Sequence, residues 1–187
     1  MNASWKTFLE SIGAVMQNGR VQHFGNASAE LRYALDQAIV ADLSDLSLIQ
    51  FAGEDAQTYL QGQLSNDLRL LDGSNSQLTS YCSPKGRMIA NFLLWQDAPN
   101  SYLAQLPASL REPIQKRLSM FVLRSKVKVS DESEAWVRLG VGGPGAQAVV
   151  TSVLGEAPST VHGLVHHASG SILRLPGDLF ELLIAPD

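Results

Sequence analysis

Residues 81–92 read YCSPKGRMIANF, and three of them have side chains suited to holding a charged ligand: Lys85, Arg87 and Asn91. If the strand after the turn alternates strictly, Arg87, Ile89, Asn91, Leu93 and Trp95 share one face. Met88, Ala90, Phe92 and Leu94 then share the other. Arg87 and Asn91 would project to the same side, about 7 Å apart, with Lys85 in the turn at the end of that face. Ammonium and guanidinium groups pair with carboxylates, and an amide both donates and accepts, so the set suits an anionic heteroaromatic ligand. The same residues also suit a solvated hairpin tip in which Gly86 takes positive φ. Taken alone, the pattern favours the plain turn.

A second cluster, QGQLSND at 61–67, supplies Gln61, Gln63, Asn66 and Asp67 beside Gly62. Locally it reads as the end of a helix, with Gly62 or Asn66 easing the exit. Cys82, the sole cysteine, has no histidine near it in sequence and reads as a small core residue. Gly142-Gly143-Pro144-Gly145 lacks both the GxGxxG spacing and the Lys-Ser/Thr of a P-loop, so it is expected to turn the chain into a helix. His162, His166 and His167 have no Cys or HExxH frame around them and are expected at the surface, with no metal site. No hydrolase triad, kinase loop or metalloenzyme motif is present.

With 45% hydrophobic and 17% charged residues in 187, the chain has enough apolar mass for a real core and too much for disorder. That length fits one ordinary domain or two small ones. A net charge of −4 gives no overall basic field for nucleic acid or anionic membrane, so neither is expected as a direct partner. One cysteine excludes an internal disulfide, a cysteine-based zinc site and a self-contained iron–sulfur cluster. With no leader pattern and no span-length apolar run, the chain is expected to be soluble in a reducing compartment, the cytoplasm.

The elements that must position these residues follow from apolar spacing. Trp5, Phe8, Leu9, Ile12, Val15 and Met16 form a helical stripe that Asn18-Gly19 ends. A second helix around 28–37 gathers Leu31, Ala34 and Leu35. Ala38 to Leu43 and Leu46 to Ala52 are expected as neighbouring strands. Gly53-Glu54-Asp55 opens a helix whose stripe is Ala56, Tyr59, Leu60 and Leu64, with acids in its first turn. A loop at 71–76 precedes strands at 77–83, 87–95 and 101–105. The helix within 108–123 turns Leu110, Ile114, Leu118, Phe121 and Val122 inward. It starts either with a Ser109/Glu112 capping box or at Pro113. Strands at 126–130 and 135–141, a helix ending near Gly155, and a strand pair turned at Pro176-Gly177 complete the reading. Hairpin-length connections favour α+β with antiparallel sheets and packed helices over a doubly wound sheet.

Four segments taken together carry a resemblance. LSDLSLIQFAGEDAQTYLQGQLSNDLRLL, YCSPKGRMIANFLLW, LREPIQKRLSMFVLRSKVKVSD and WVRLGVGGPGA occur in the order and spacing of the YgfZ family, from about Asp42 to Ala146. These are the bacterial folate-binding relatives of the glycine cleavage T-protein. The resemblance implies a three-domain ring around a cavity for tetrahydrofolate, with this chain forming two subdomains of it. It implies a role in assembling or repairing iron–sulfur enzymes, including ones that modify tRNA bases.

It also implies a later K-G-C-Y-x-G-Q-E signature, which this sequence lacks, so 1–187 is expected to be the N-terminal part of such a protein. The family's functional cysteine lies in that signature, and Cys82 does not inherit its role.

The T-protein's Asp-Asp pattern falls on Ala90 and Asn91. Asn carries no charge to stabilise an iminium, so folate binding without aminomethyl transfer is expected. Lys85 or Arg87 is expected near the glutamate end of folate and Asn91 near the pterin, with Gln63, Asn66 and Asp67 as further pocket residues. Leu46 stands where some YgfZ chains resemble this segment but carry Trp as a stacking wall. A folate-dependent one-carbon transferase would need Asp67 or Asp55 as its carboxylate. A ligand-free interaction module is the remaining alternative.

Overall fold

A computed structural model describes residues 1–186. Helices α1 (Ala3–Ser11), α2 (Ala27–Asp36), α3 (Ala56–Gln61), α4 (Ala108–Met120) and α5 (Ala146–Leu154) alternate with twelve strands. The strands are β1 (Val15–Gln17), β2 (Arg20–His23), β3 (Ile39–Asp42), β4 (Leu46–Ala52), β5 (Ser76–Cys82) and β6 (Met88–Ala98). They continue with β7 (Ser101–Pro107), β8 (Lys128–Asp131), β9 (Val137–Gly142), β10 (Leu164–His167), β11 (Gly170–Leu175) and β12 (Leu179–Ile184). Every strand pairing is antiparallel, so the α+β expectation holds. Among the described residues no helix is long and apolar enough to cross a membrane.

The chain divides into two compact units, one of Met1–Asp45 with the stretch from Glu134 onward, the other of Leu46–Ser133. In the first, a sheet in the order β10-β11-β12-β9-β3 buries Val141, Ile172, Phe180 and Leu182 with Ala146 and Val150 of α5. A separate hairpin joins β1 to β2. In the second, a sheet in the order β5-β6-β7-β4-β8 buries Phe51, Phe92, Leu94 and Tyr102 with Tyr59 and Leu60 of α3 and Ile114 and Leu118 of α4.

Several boundaries differ from the periodicity reading. α1 stops at Ser11 rather than running to Met16, because Gly13 takes φ +92° and Val15 and Met16 enter β1. Asn18 and Gly19 both have positive φ, 51° and 74°, which is the two-residue turn of a hairpin rather than a helix end. α2 forms where expected, yet Leu31 and Leu35 are 72% and 76% exposed. β3 and β4 are not neighbours; they belong to different sheets, and Ser44-Asp45 carries the chain from one to the other.

Asp55 is the N-cap of α3 but makes no side-chain cap; its Oδ2 instead accepts the Lys126 N–H at 2.8 Å. α4 begins at Ala108, before both expected starts, and keeps Pro113 inside. Phe121, expected inward, is 45% exposed just past its end. His162 is half-buried rather than at the surface, at φ 65°, with its N–H given to the Arg174 carbonyl.

Candidate functional site

The hairpin between β5 and β6 closes by a Gly86 N–H to Ser83 C=O bond of 2.9 Å, and Gly86 takes φ +73°. Ser83 N–H donates to the Arg87 carbonyl at 2.8 Å, and the Arg87 N–H donates to Ser83 Oγ at 3.2 Å. Lys85 and Arg87 are exposed at this tip, and neither has an ion-pair partner among the described residues.

Strict alternation fails one residue into β6. The ladder pairs Tyr81 with Ala90 but Cys82 with Met88, leaving Ile89 as the extra residue of a β-bulge. Ile89 packs against the core with Ala90, while Met88 turns to the opposite side and its sulfur accepts the Ser80 hydroxyl at 3.3 Å. Counted back through the bulge, Arg87 no longer shares a side with Asn91. The expected Arg87–Asn91 pairing along one face is therefore corrected, and Met88 takes the place beside Asn91.

Register across the sheet sets the neighbours of Asn91. Ser80 pairs with Asn91, Leu93 with Gln105, and Leu46 with Pro107. Ser80, Asn91, Pro107 and Leu46 consequently form one row at one end of the sheet, all on the side opposite Phe51, Phe92 and Tyr102. Leu46 lies two strands from Asn91, about 10 Å at the usual strand spacing. The row itself is neutral. Further along, the same side carries Gln105, Gln50 and, opposite Ala52, Lys128 of β8; Gln50 donates to Ser101 Oγ at 3.2 Å. On the same side Trp95 is fully buried with its indole N–H unpaired.

The second cluster is brought alongside the first. Leu64 bridges Tyr81 in antiparallel fashion, Ser65 N–H donates to the Ser80 carbonyl at 2.9 Å, and Ser65 Oγ accepts the Ser80 N–H at 3.0 Å. The segment thus covers the outer edge of β5, and its register sets Gln63 level with Cys82. Asn66 N–H is held by Thr79 Oγ1 at 3.3 Å, and its side-chain oxygen accepts the Ser65 hydroxyl at 2.8 Å. Gln61 Oε1 accepts the Leu68 N–H at 2.8 Å, so Gln61 closes the loop rather than facing a ligand.

Asp67 is also engaged. It accepts the Arg69 N–H at 3.0 Å and the Arg69 guanidinium at 2.7 Å. Those side-chain bonds, with the backbone bond second, hold its carboxyl down at about 2. A carboxyl depressed in the folded state stabilises above its unfolded value and loses that contribution as pH falls toward 2. An NMR titration should give a wild-type midpoint near 2, raised in Arg69→Gln toward the ordinary value but not fully to it, since the residue 69 N–H still donates; a wild-type midpoint at the ordinary 3.8 would contradict the pairing.

Beneath the hairpin, on the core side, Arg117 Nε donates to the Tyr81 hydroxyl at 3.0 Å and its guanidinium lies 5.7 Å from the Tyr81 ring centroid. Tyr59 donates to the Leu118 carbonyl at 2.7 Å, and burial, with Tyr81 nearby, pushes its hydroxyl up to about 12. Arg117 and Met88 went unforeseen in the sequence, since only the ladder register and the helix α4 packing bring them here. Among the described residues no three His, Cys, Asp or Glu side chains gather closely enough to hold a metal ion.

A family model described as the GCVT N-terminal domain matches residues 6–169. The tRNA-modifying protein YgfZ of Pectobacterium atrosepticum is 26% identical over 176 residues, 92% of this chain and 52% of that protein. The protein of the same name from Escherichia coli O157:H7 is 30% identical over 145 residues, 78% of this chain and 44% of that one. The chain thus spans about half the length of the relatives it matches. The glycine cleavage system aminomethyltransferase T from Bartonella henselae superposes with a TM-score of 0.83 at 18% identity, over 99% of this chain and 54% of that one. A heterotetrameric sarcosine oxidase from Corynebacterium sp. U-96, in complex with pyrrole 2-carboxylate, superposes with a TM-score of 0.57 at 12% identity, over 85% and 83%. The two superpositions speak to fold alone, and the α+β architecture is that of the T-protein. By sequence, the chain belongs to the GCVT N-terminal domain family, with the YgfZ proteins among its relatives.

Proposed function

We propose that this chain is the N-terminal part of a cytoplasmic folate-binding accessory protein. It holds tetrahydrofolate in support of iron–sulfur enzymes that modify tRNA and does not transfer an aminomethyl group. One observation carries the reading: the row Ser80–Asn91–Pro107–Leu46 is neutral, hydrogen-bonding at one end and apolar at the other. An amide matches the alternating donors and acceptors on a pterin edge, and Leu46 gives the ring a packing surface. Lys85, at the hairpin tip, reaches the glutamate carboxylates, and Gln63 lies alongside.

The transferase alternative needs a carboxylate close to the pterin. Asp67 is committed to Arg69, and Asp55 to the Lys126 backbone. Asp55 also lies beyond Ala52, whereas Asn91 is level with Leu46. The length of β4 separates them, about 20 Å at the strand rise. The distance of Asp55 from Asn91 and the pairing of Asp67 with Arg69 support binding without transfer.

Calorimetric titration with tetrahydrofolate tests the reading. Saturable binding is expected, weakened about tenfold in Asn91→Ala by the lost amide bonds, with no turnover of an aminomethyl donor. Absence of binding, or an unchanged affinity in Asn91→Ala, would refute the assignment.

A further inference from the structure

A cavity of about 540 Å³ lies within the first unit, between β2 (with Val21 and His23) and β3 (with Val40 and Asp42), and α2 walls one side. Its size falls within the range of ligand sites. Its shape is set by two open strand edges. β3 ends the five-stranded sheet, and β2 pairs only with β1.

Backbone geometry identifies which groups those edges present. Leu43 N–H donates to the Arg138 carbonyl, which fixes the bonding phase of the β3–β9 ladder. In an antiparallel pair the bonded residues alternate, so Ile39 and Ala41 bond to β9 while Val40 and Asp42 aim N–H and C=O outward. Across the cavity the two-residue turn at Asn18-Gly19 makes Gln17–Arg20 the bonded pair, and Val21 therefore also points outward. Backbone donors and acceptors of both edges thus face away from their own sheets, on strands that line the one cavity.

The side walls are apolar and accessible: Val40 is 58% exposed, Tyr33 52% and Phe24 39%. The lining contains no Lys or Arg but two acids, Glu30 and Asp42. Glu30 accepts the Phe24 and Asn26 N–H groups through Oε1, and Asp42 accepts Trp5 Nε1 and Ser44 Oγ through Oδ1. Each carboxylate keeps its second oxygen for a cation.

We propose that this gap is a docking slot for an extended peptide segment of a partner protein, which enters as a strand between β2 and β3. Backbone bonds to Val40, Asp42 and Val21 hold it. Every second side chain packs on α2, which selects apolar residues at alternate positions, and a Lys or Arg meets the Glu30 and Asp42 carboxylates. The slot is independent of the folate reading, for it uses none of the same residues.

A fluorescein-labelled peptide, acetyl-KVTVTV-amide, tests it against the whole chain by anisotropy and amide hydrogen exchange. Saturable binding is expected, with the Val40 and Asp42 amides slowed about tenfold or more at saturation and Ala41, already bonded, unchanged. Val40→Pro deletes an outward donor without touching the β9 ladder and should weaken binding about tenfold. Val21→Pro does the same from the facing edge, should either variant fold poorly. No binding at about 1 mM peptide overturns the proposal, as does binding that leaves Val40 and Asp42 unprotected. Concentration-dependent self-association that protects those amides without peptide would assign the slot to a second copy, and so overturns it too.

Discussion

Gly53→Ala is expected to destabilise the protein by about 3 kcal/mol or more, although the residue contributes no side chain to the hydrophobic core. Gly53 sits at the exit of β4 with φ +145°, a backbone region that side chains rarely adopt. A Cβ there would overlap the carbonyl oxygen of Lys126, which is backbone and cannot swing aside. The same contact lets Asp55 accept the Lys126 N–H and brings Lys126 Nζ to 2.7 Å from Glu54. The Gly-Glu-Asp stretch therefore clamps the start of α3 to the segment that leads into β8. Gly86→Ala is the control. It also has positive φ but nothing within 4 Å of a built Cβ, so only the conformational cost of about 1 kcal/mol applies. Urea unfolding compares the two, and equal losses would show that the Gly53 junction is loose.

Phe92→Ala should cost about 3–5 kcal/mol, while Asn91→Ala, one residue away, should stay within about 0.5 kcal/mol. Phe92 is 2% exposed in the cluster that holds Phe51, Leu60 and Leu94, and its removal leaves a cavity that α3 and α4 cannot close. The Asn91 side chain is exposed and forms no hydrogen bond among the described residues, so its loss leaves the fold indifferent. The contrast separates a packing role from a ligand-facing one on adjacent residues of one strand. Comparable losses in the two variants would mean that Asn91 is structural and would remove it from the site.

The elements that show most clearly in the sequence are those whose apolar spacing agrees with their burial. The stripe Ala56, Tyr59, Leu60 and Leu64 is buried as its spacing implies, and the β5–β6–β7 meander lies within about three residues of expectation. Where spacing misled, a local conformation overrode it. Val15 and Met16 continue the helical stripe of α1, yet positive φ at Gly13 ends the helix first, and Asn18-Gly19 acts as a hairpin turn. Ile89 was misplaced because a bulge is decided by the opposing strand, here by Cys82 pairing with Met88. Asn91 was legible as a candidate. Its neighbours were not, since Leu46, Ser80 and Pro107 reach it only through registers that join distant segments.

The central claim is that a reduced pterin rests on the row from Ser80 to Leu46, and NMR observation of Asn91 and Leu46 during a tetrahydrofolate titration tests it most directly. Saturable shifts of the Asn91 side-chain amide and the Leu46 methyl groups are predicted, with Phe92 on the far side of the strand and Val40 in the slot unmoved. A titration that saturates while Asn91 and Leu46 stay still, or that moves Val40 instead, would contradict it.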